Sequence, residues 1–231
     1  MSENKRVLNA VAKMKISVGP FRQSTTGAIV PFFNDSRCLY SHPEVMEIIA
    51  EELGKIINKY NRKKRVDLIV GIPMAGIPIA LATSLKTRIP FAYLNKKRKP
   101  TLRKKWVEGD YQKNSVGVLV DDVIGLGSTV LKAIQDCAKD GIRVKHVVVI
   151  NDSWHARNQN FKKRLQKMGI TFDNLYNRHE WLDYVRKAKK LPVEAITVQK
   201  AYLADPTGWH KDKKSWRMFL AWKKSLKKDE L

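Results

Sequence analysis

The segment Val118-Leu119-Val120-Asp121-Asp122-Val123-Ile124-Gly125-Leu126-Gly127-Ser128-Thr129 concentrates more usable chemistry than any other in the chain. An apolar run ends in two adjacent carboxylates, then a short Gly/Ser/Thr turn leads into a helix-forming stretch. Backbone N–H groups converging at a helix N-terminus form an anion site, because the helix dipole and the unpaired donors both favour a phosphate. Gly125 and Gly127 allow close backbone approach, and Ser128 and Thr129 add hydroxyls. Asp121 and Asp122 would repel a phosphate placed beside them. They suit a neighbour that donates hydrogen bonds, such as sugar hydroxyls or water on a metal. Phosphate at one end and hydroxyls at the other describe a ribose 5-phosphate. Neither the Walker pattern nor the G-x-G-x-x-G dinucleotide fingerprint occurs.

A second kind of chemistry lies in the basic runs. Arg62-Lys63-Lys64-Arg65 is one; residues 96–105 are the other, where Lys96, Lys97, Arg98, Lys99, Arg103, Lys104 and Lys105 face no acid. Fields of this sign concentrate nucleic acid, acidic lipid or a polyphosphate metabolite. The alternative for the first run is a solvated surface that aids solubility.

The elements that must position these groups follow from periodicity. Ser41-His42-Pro43-Glu44 has the form of a capping box. The stretch after it sets Val45, Ile49, Leu53, Ile56 and Ile57 on one helical face. Val66–Ile72, Pro90–Leu94, Val116–Val120 and Val144–Ile150 read as strands, with Ile170–Leu175 also extended. Ala75–Lys86, Ser128–Lys139, Phe161–Met168 and Glu180–Lys189 read as helices, and 95–114 as a long polar connection. This alternation implies crossover units: an α/β fold with an open, mainly parallel sheet, helices on both faces, and a C-terminal helical extension. The expected division is 1–192 for the sheet domain and 193–231 for a basic Trp/Lys-rich extension.

The Asp-Asp strand and loop resemble the 5-phosphoribosyl 1-pyrophosphate (PRPP) motif of type I phosphoribosyltransferases, and the chain resembles orotate phosphoribosyltransferase in particular. Thr26–Arg37 is similar to that family's N-terminal segment, Gly71–Ala80 to its pyrophosphate loop, Tyr93–Lys99 with Val107–Asp110 to its mobile catalytic loop and flanking strands, and Lys162–Leu191 to its closing helix-strand-helix. The matches keep the family's order over about residues 20–192. The resemblance implies displacement of pyrophosphate from PRPP by a nucleobase ring nitrogen, with Mg²⁺ held largely through substrate oxygens rather than by protein side chains alone. It implies PRPP contacts at Ala75, Gly76, Asp121, Asp122, Val123, Gly125, Leu126, Gly127, Ser128 and Thr129. Asp121 and Asp122 would stabilise positive charge on the ribose, and Lys96 and Lys99 the departing pyrophosphate. A homodimer is implied, since the family's mobile loop reaches into the partner's site. Phe32 and Phe33 are candidates for the base pocket, with ordinary strand packing as the alternative.

Departures fall mainly in the base half. Thr25 stands where the family has Lys, Asn95 where its loop begins with Arg, and Thr101-Leu102 where it has a polar residue and Gly. Gly125-Leu126 replaces a hydroxyl-bearing pair. Ser153 replaces the Arg that forks onto the orotate carboxylate, with Arg157 the cation that would reach back. Two functions follow: phosphoribosyl transfer to an orotate-like base, or a catalytically weakened PRPP- or nucleotide-binding regulator or nucleic-acid-binding protein on the same fold.

Composition bounds both. The chain has 231 residues, 43% hydrophobic, and a formal net charge of +23. The charge is spread, with net +12 over 1–152 and +11 over 153–231. Two cysteines, Cys38 and Cys137, fit a reducing compartment rather than a disulfide framework. No apolar run is long enough to span a membrane, and MSENKRVLNA lacks a signal-peptide core, so a cytoplasmic location is expected. The closing Lys228-Asp229-Glu230-Leu231 spells a retention signal and is taken as coincidence. In the extension, Trp209, Trp216 and Trp222 interleave with lysines, and Trp216, Phe219, Leu220 and Lys223 fall on one helical face. That helix would cover apolar surface, bind nucleic acid, or lie on an acidic membrane. The histidines show no metal-ligand spacing with the cysteines.

Overall fold

A computed structural model of the chain describes residues 5–23, 27–96, 105–153 and 158–226. The polypeptide gathers into two compact units, 1–11 with 39–178, and 12–38 with 179–231. Residues 193–226 thus group with part of the chain's N-terminal region rather than by themselves.

The larger unit begins with α1 (Lys5–Val11) and α2 (Pro43–Asn61). It continues through β3 (Leu68–Gly71), α3 (Gly76–Thr87), β4 (Phe91–Leu94), β5 (Val107–Glu108), β6 (Val116–Ile124), α4 (Ser128–Lys139), β7 (Arg143–Asp152), α5 (Asn158–Lys167) and β8 (Thr171–Asn177). The six strands lie in the order β5-β4-β3-β6-β7-β8, parallel except for β5 against β4. Strands covered on both faces read as continuous apolar runs, which is why 116–120 and 144–150 were legible. Leu68, Val70 and Ile72 share a buried cluster with Val130, Ile134 and Cys137 of α4 and Phe161 and Leu165 of α5. The period of two sends the equally buried Ile69 to the opposite face, and α3 packs against β3 and β6.

Several local readings change, among them the strand read as Val116–Val120, which runs on through Asp121 and Asp122 to Ile124. Ser41 closes a 3-10 turn, Ser36–Ser41, and His42 is the N-cap of α2 without a side-chain cap bond, so no capping box forms. Pro43 still opens the helix, since its missing N–H costs nothing there. The polar connection 95–114 contains β5, which pairs Tyr93 with Glu108 and Leu94 with Val107.

The smaller unit contains the antiparallel pair β1 (Ile16–Arg22) and β2 (Ile29–Asn34), then most of α6 (Arg178–Lys187), α7 (Val193–Ala204) and α8 (Lys213–Ser225). Its interior is aromatic. Phe32 is fully buried, with the Trp222 ring 5.3 Å and the Trp181 ring 6.5 Å from its own. Phe219 and Trp209 join them, at 5.7 Å from each other. In α8 the inward residues are Phe219 and Trp222, while Leu220, expected on the same face, is exposed. Lys223 donates to the Gly19 carbonyl at 2.7 Å, and Asp212 caps the helix by accepting from the Ser215 N–H. The extension covers apolar surface, and the rings of Trp209 and Trp222 are spent inside.

The two thiols should behave differently. Cys137 is fully buried on α4, and burial, helped by Asp136 and Asp140, pushes its thiol up to about 12. Cys38 is half-buried in the 3-10 turn. A thiol reagent at pH 8 should therefore titrate one group in the native chain and two after denaturation. Equal rates for both would contradict the packing of α4.

Candidate active site

The strand order reverses between β3 and β6. From β3 the chain crosses through α3 to β4 on one side; from β6 it crosses through α4 to β7 and through α5 to β8 on the other. Such a switch point leaves a crevice at the carboxyl ends of the two strands, where ligands of open α/β sheets bind. Both phosphate-type loops emerge there.

The loop 72–76 leaves β3. The Ile72 N–H donates to Val120 O at 3.0 Å, and the Gly76 N–H turns back to Ile72 O at 2.9 Å. The Pro73–Met74 peptide is cis. Gly76 is needed for space: a Cβ there would stand 2.3 Å from Val120 O and 3.2 Å from Asp121 Oδ1. The Tyr40 hydroxyl donates to Ala75 O at 2.7 Å and fixes the loop from outside. Spacing gave no sign of Tyr40.

The second loop leaves β6. Asp121 and Asp122 are both buried at its end, each accepting from the N–H of the following residue, at 2.9 and 2.8 Å. Burial first, and the neighbouring Asp122 charge second, raise the Asp121 carboxyl well above the usual range. Two acids held close without solvent call for a partner that is cationic or rich in donors. Val123 and Leu126 are exposed, and a Cβ on Gly125 would meet nothing within 4 Å, so the turn is open to a ligand. Gly127 has φ +80°, and a Cβ there would strike the Phe161 ring, so glycine is required twice over. Gly127 caps α4 with no side-chain bond, and Ser128 and Thr129 are exposed in the first turn. The first N–H groups of α4 have no intrahelical acceptor, an arrangement that suits an anion.

Lys96 is exposed at the start of the basic stretch, whose two ends are tied together at its base. The Asn95 N–H donates to Trp106 O, and the Asn95 amide donates to Glu108 Oε1, both at 2.8 Å. One Asp140 oxygen accepts from the Trp106 and Val107 N–H groups at 2.7 and 2.8 Å. Asn95, a departure from the family pattern, thus has a structural role, and Asp140 is an anchor the sequence did not disclose. Lys99, Arg157, Thr25, Thr101, Leu102 and residues 228–231 lie outside the described residues.

Of the described base-pocket candidates, Phe32 and Phe33 lie in the smaller unit and Ser153 in the larger. Phe32 belongs to the aromatic interior of the smaller unit, and Phe33 packs edge-on to Phe21 at 5.1 Å in that unit. Ser153 follows β7, and its N–H and hydroxyl both donate to Ile124 O. Asp152 beside it is buried and paired with Lys162 at 2.5 Å.

A family model described as the phosphoribosyl transferase domain matches residues 36–174. The orotate phosphoribosyltransferase of Sulfolobus acidocaldarius is 28% identical over 176 residues, covering 76% of this chain and 84% of its own. That of Lactobacillus johnsonii is 26% identical over 209 residues, covering 89% and 96%. Among solved structures, the UMP synthase of Leishmania donovani superposes with a TM-score of 0.74 at 27% identity. It is matched over 86% of this chain, which spans 42% of that longer one.

Proposed function

The chain belongs to the phosphoribosyl transferase family, and from that membership we propose that it moves the phosphoribosyl group of PRPP onto an orotate-like nucleobase, releasing pyrophosphate. The observation that carries the reading is the meeting of the 72–76 loop with Asp121 at the β3/β6 switch point. In the reaction the C1–oxygen bond to pyrophosphate breaks and a C1–nitrogen bond to the base forms, while the ring nitrogen loses its proton to solvent. Positive charge grows on the ribose and negative charge on the leaving group.

The N–H groups at 125–129 hold the 5-phosphate, and Asp121 and Asp122 accept from the ribose hydroxyls and face the growing positive charge. The backbone at Ala75-Gly76 cradles pyrophosphate. Lys96, with Lys99 further along the stretch, meets its negative charge. The residues present fit Mg²⁺ that would be held largely through substrate oxygens, with Asp121 and Asp122 as the nearby carboxylates, and the ion would supply charge neutralisation of pyrophosphate. Among the described residues no cluster of three His, Cys, Asp or Glu side chains would cage it. Among those residues no helix is long and apolar enough to cross a membrane. Both cysteines are free, consistent with a cytoplasmic setting. A homodimer, with the basic stretch serving a partner's site, completes the reading, and 193–231 act as an accessory cover rather than as catalytic machinery.

Isothermal titration with PRPP and Mg²⁺ should show saturable binding, and pyrophosphate release should follow with one member of a base panel. Orotate, uracil and purines all belong on that panel, because Ser153 presents a hydroxyl already given to Ile124 rather than a guanidinium. Absence of PRPP binding would sink the transferase reading; binding without turnover on any base would favour the regulator.

A further inference from the structure

The carboxyl edge of the sheet absorbs Lys96 and its neighbours, but the opposite edge is basic too and serves no step above. The connections into β3, β6 and β7 gather there, because these strands run in one direction. They are fastened side by side. Val116 N–H donates to Asp67 at 2.9 Å, Asn114 N–H to Gly141 O at 2.7 Å, and Arg143 N–H to Ser115 O at 2.9 Å. On this frame Arg62, Lys63, Lys64 and Arg65 are all exposed, and so are Lys113 and Arg143. Asp67 pairs with Arg65 and accepts from Val116, so its charge is already engaged. Arg62, Lys63, Lys64 and Lys113 take no ion pair among the described residues.

We propose that this edge binds the phosphate backbone of a double-helical nucleic acid, independently of the transfer reaction. The cations are spread from β3 to β7, two strand spacings or about 10 Å before side-chain reach. That compares with the ~12 Å major groove, across which two backbones face each other. Asn114, Gln112 and the lysines offer donors to phosphate oxygens, the contacts that dominate sequence-independent binding.

Two other polyanions fit less well. Single strands are held by stacking on open aromatic faces. Two half-buried rings in the connection between β4 and β6 already carry lysines: Lys132 and Lys139 lie 4.7 and 4.5 Å from the Trp106 centroid, and Lys105 lies 4.8 Å from that of Tyr111. An acidic bilayer favours basic residues accompanied by apolar ones that insert. Among the described residues, Met168 is the one exposed large apolar side chain in the connections at this edge. The surface therefore offers charge without stacking or insertion.

Fluorescence anisotropy with a labelled 20-base-pair duplex and the full chain, from 50 to 200 mM salt, tests the assignment. Binding should weaken linearly in log salt. The triple variant Arg62→Gln, Lys63→Gln, Lys64→Gln should lower that slope by about 2–3, given ~0.9 per phosphate contact. Its PRPP affinity should be unchanged, since none of the three sits in the transfer machinery. No duplex binding at 50 mM salt, or an unchanged slope in the variant, overturns the proposal. Tighter binding of a single-stranded 20-mer or of phosphatidylserine vesicles at equal salt also overturns it.

Discussion

Asp121→Asn is expected to slow pyrophosphate release by about 10²–10³-fold while leaving the protein as stable as the parent, or more so. The amide keeps the shape and still accepts from the Asp122 N–H, so the turn has no reason to rearrange. In the proposed reaction the substitution removes the charge that would face the ribose, whose stabilisation would grow only as the leaving group departs. The stability side follows from burial. The folded-state pKa of Asp121 lies above the unfolded value, so its contribution to stability is fullest below the ordinary carboxylate range and is lost as pH rises. Asparagine does not titrate, so the Tm of the variant relative to the parent should climb from pH 5 to pH 8. Thermal scans at both pH values, with single-turnover assays at pH 8, check the two halves separately. Turnover at the parental rate would remove Asp121 from the site; a flat Tm difference would refute the burial argument.

Gly76→Ala should be among the most damaging single methyls in the larger unit. The added carbon would sit 2.3 Å from Val120 O, the same carbonyl that accepts from Ile72. The obstacle is backbone on both sides, so neither loop nor strand can yield cheaply. Overpacking of this kind costs about 3 kcal/mol, a fall of roughly 6–12 °C in Tm for a chain of this size. Gly125→Ala is the contrasting control, since its methyl would meet nothing within 4 Å. Its Tm should stay within about 2 °C of the parent while PRPP affinity drops, because the methyl stands where a phosphate would approach. If both variants melt alike, space at Gly76 is not what joins the two loops.

What the sequence disclosed depended on whether local pattern and tertiary role coincided. Within 116–139 the helix Ser128–Lys139 was legible, whereas the strand was read as Val116–Val120 and runs on to Ile124, because two acids do not by themselves end a buried strand. β1 escaped because Gly19-Pro20 interrupts it, and the pairing skips there between Val18 and Phe21. α7 escaped because its buried residues, Ala195, Ile196, Val198, Gln199, Tyr202 and Leu203, surround the helix and leave no amphipathic period. Leu220 was misplaced because a helical wheel cannot tell which side of an aromatic stripe the core will take. The loops at 72–76 and 125–129 were readable as tight turns after strands because their glycines, acids and hydroxyls are neighbours in sequence. Tyr40, Asp140 and the Asn95–Glu108 pair act across long separations, and only the folded chain joins them.

The smaller unit also sets a timetable for synthesis. The Trp209 indole bonds Ile29 O across 180 positions, and Lys223 bonds Gly19 O across 204. At about 5–20 residues per second, the β1–β2 ribbon leaves the ribosome roughly 10–40 s before the helices that bury Phe32 exist. For that interval a nascent chain carries an uncovered aromatic ribbon at its leading end. The larger unit, whose strands lie within 68–177, meets no such wait, so a holdase chaperone would be expected to grip the N-terminal ribbon rather than the sheet.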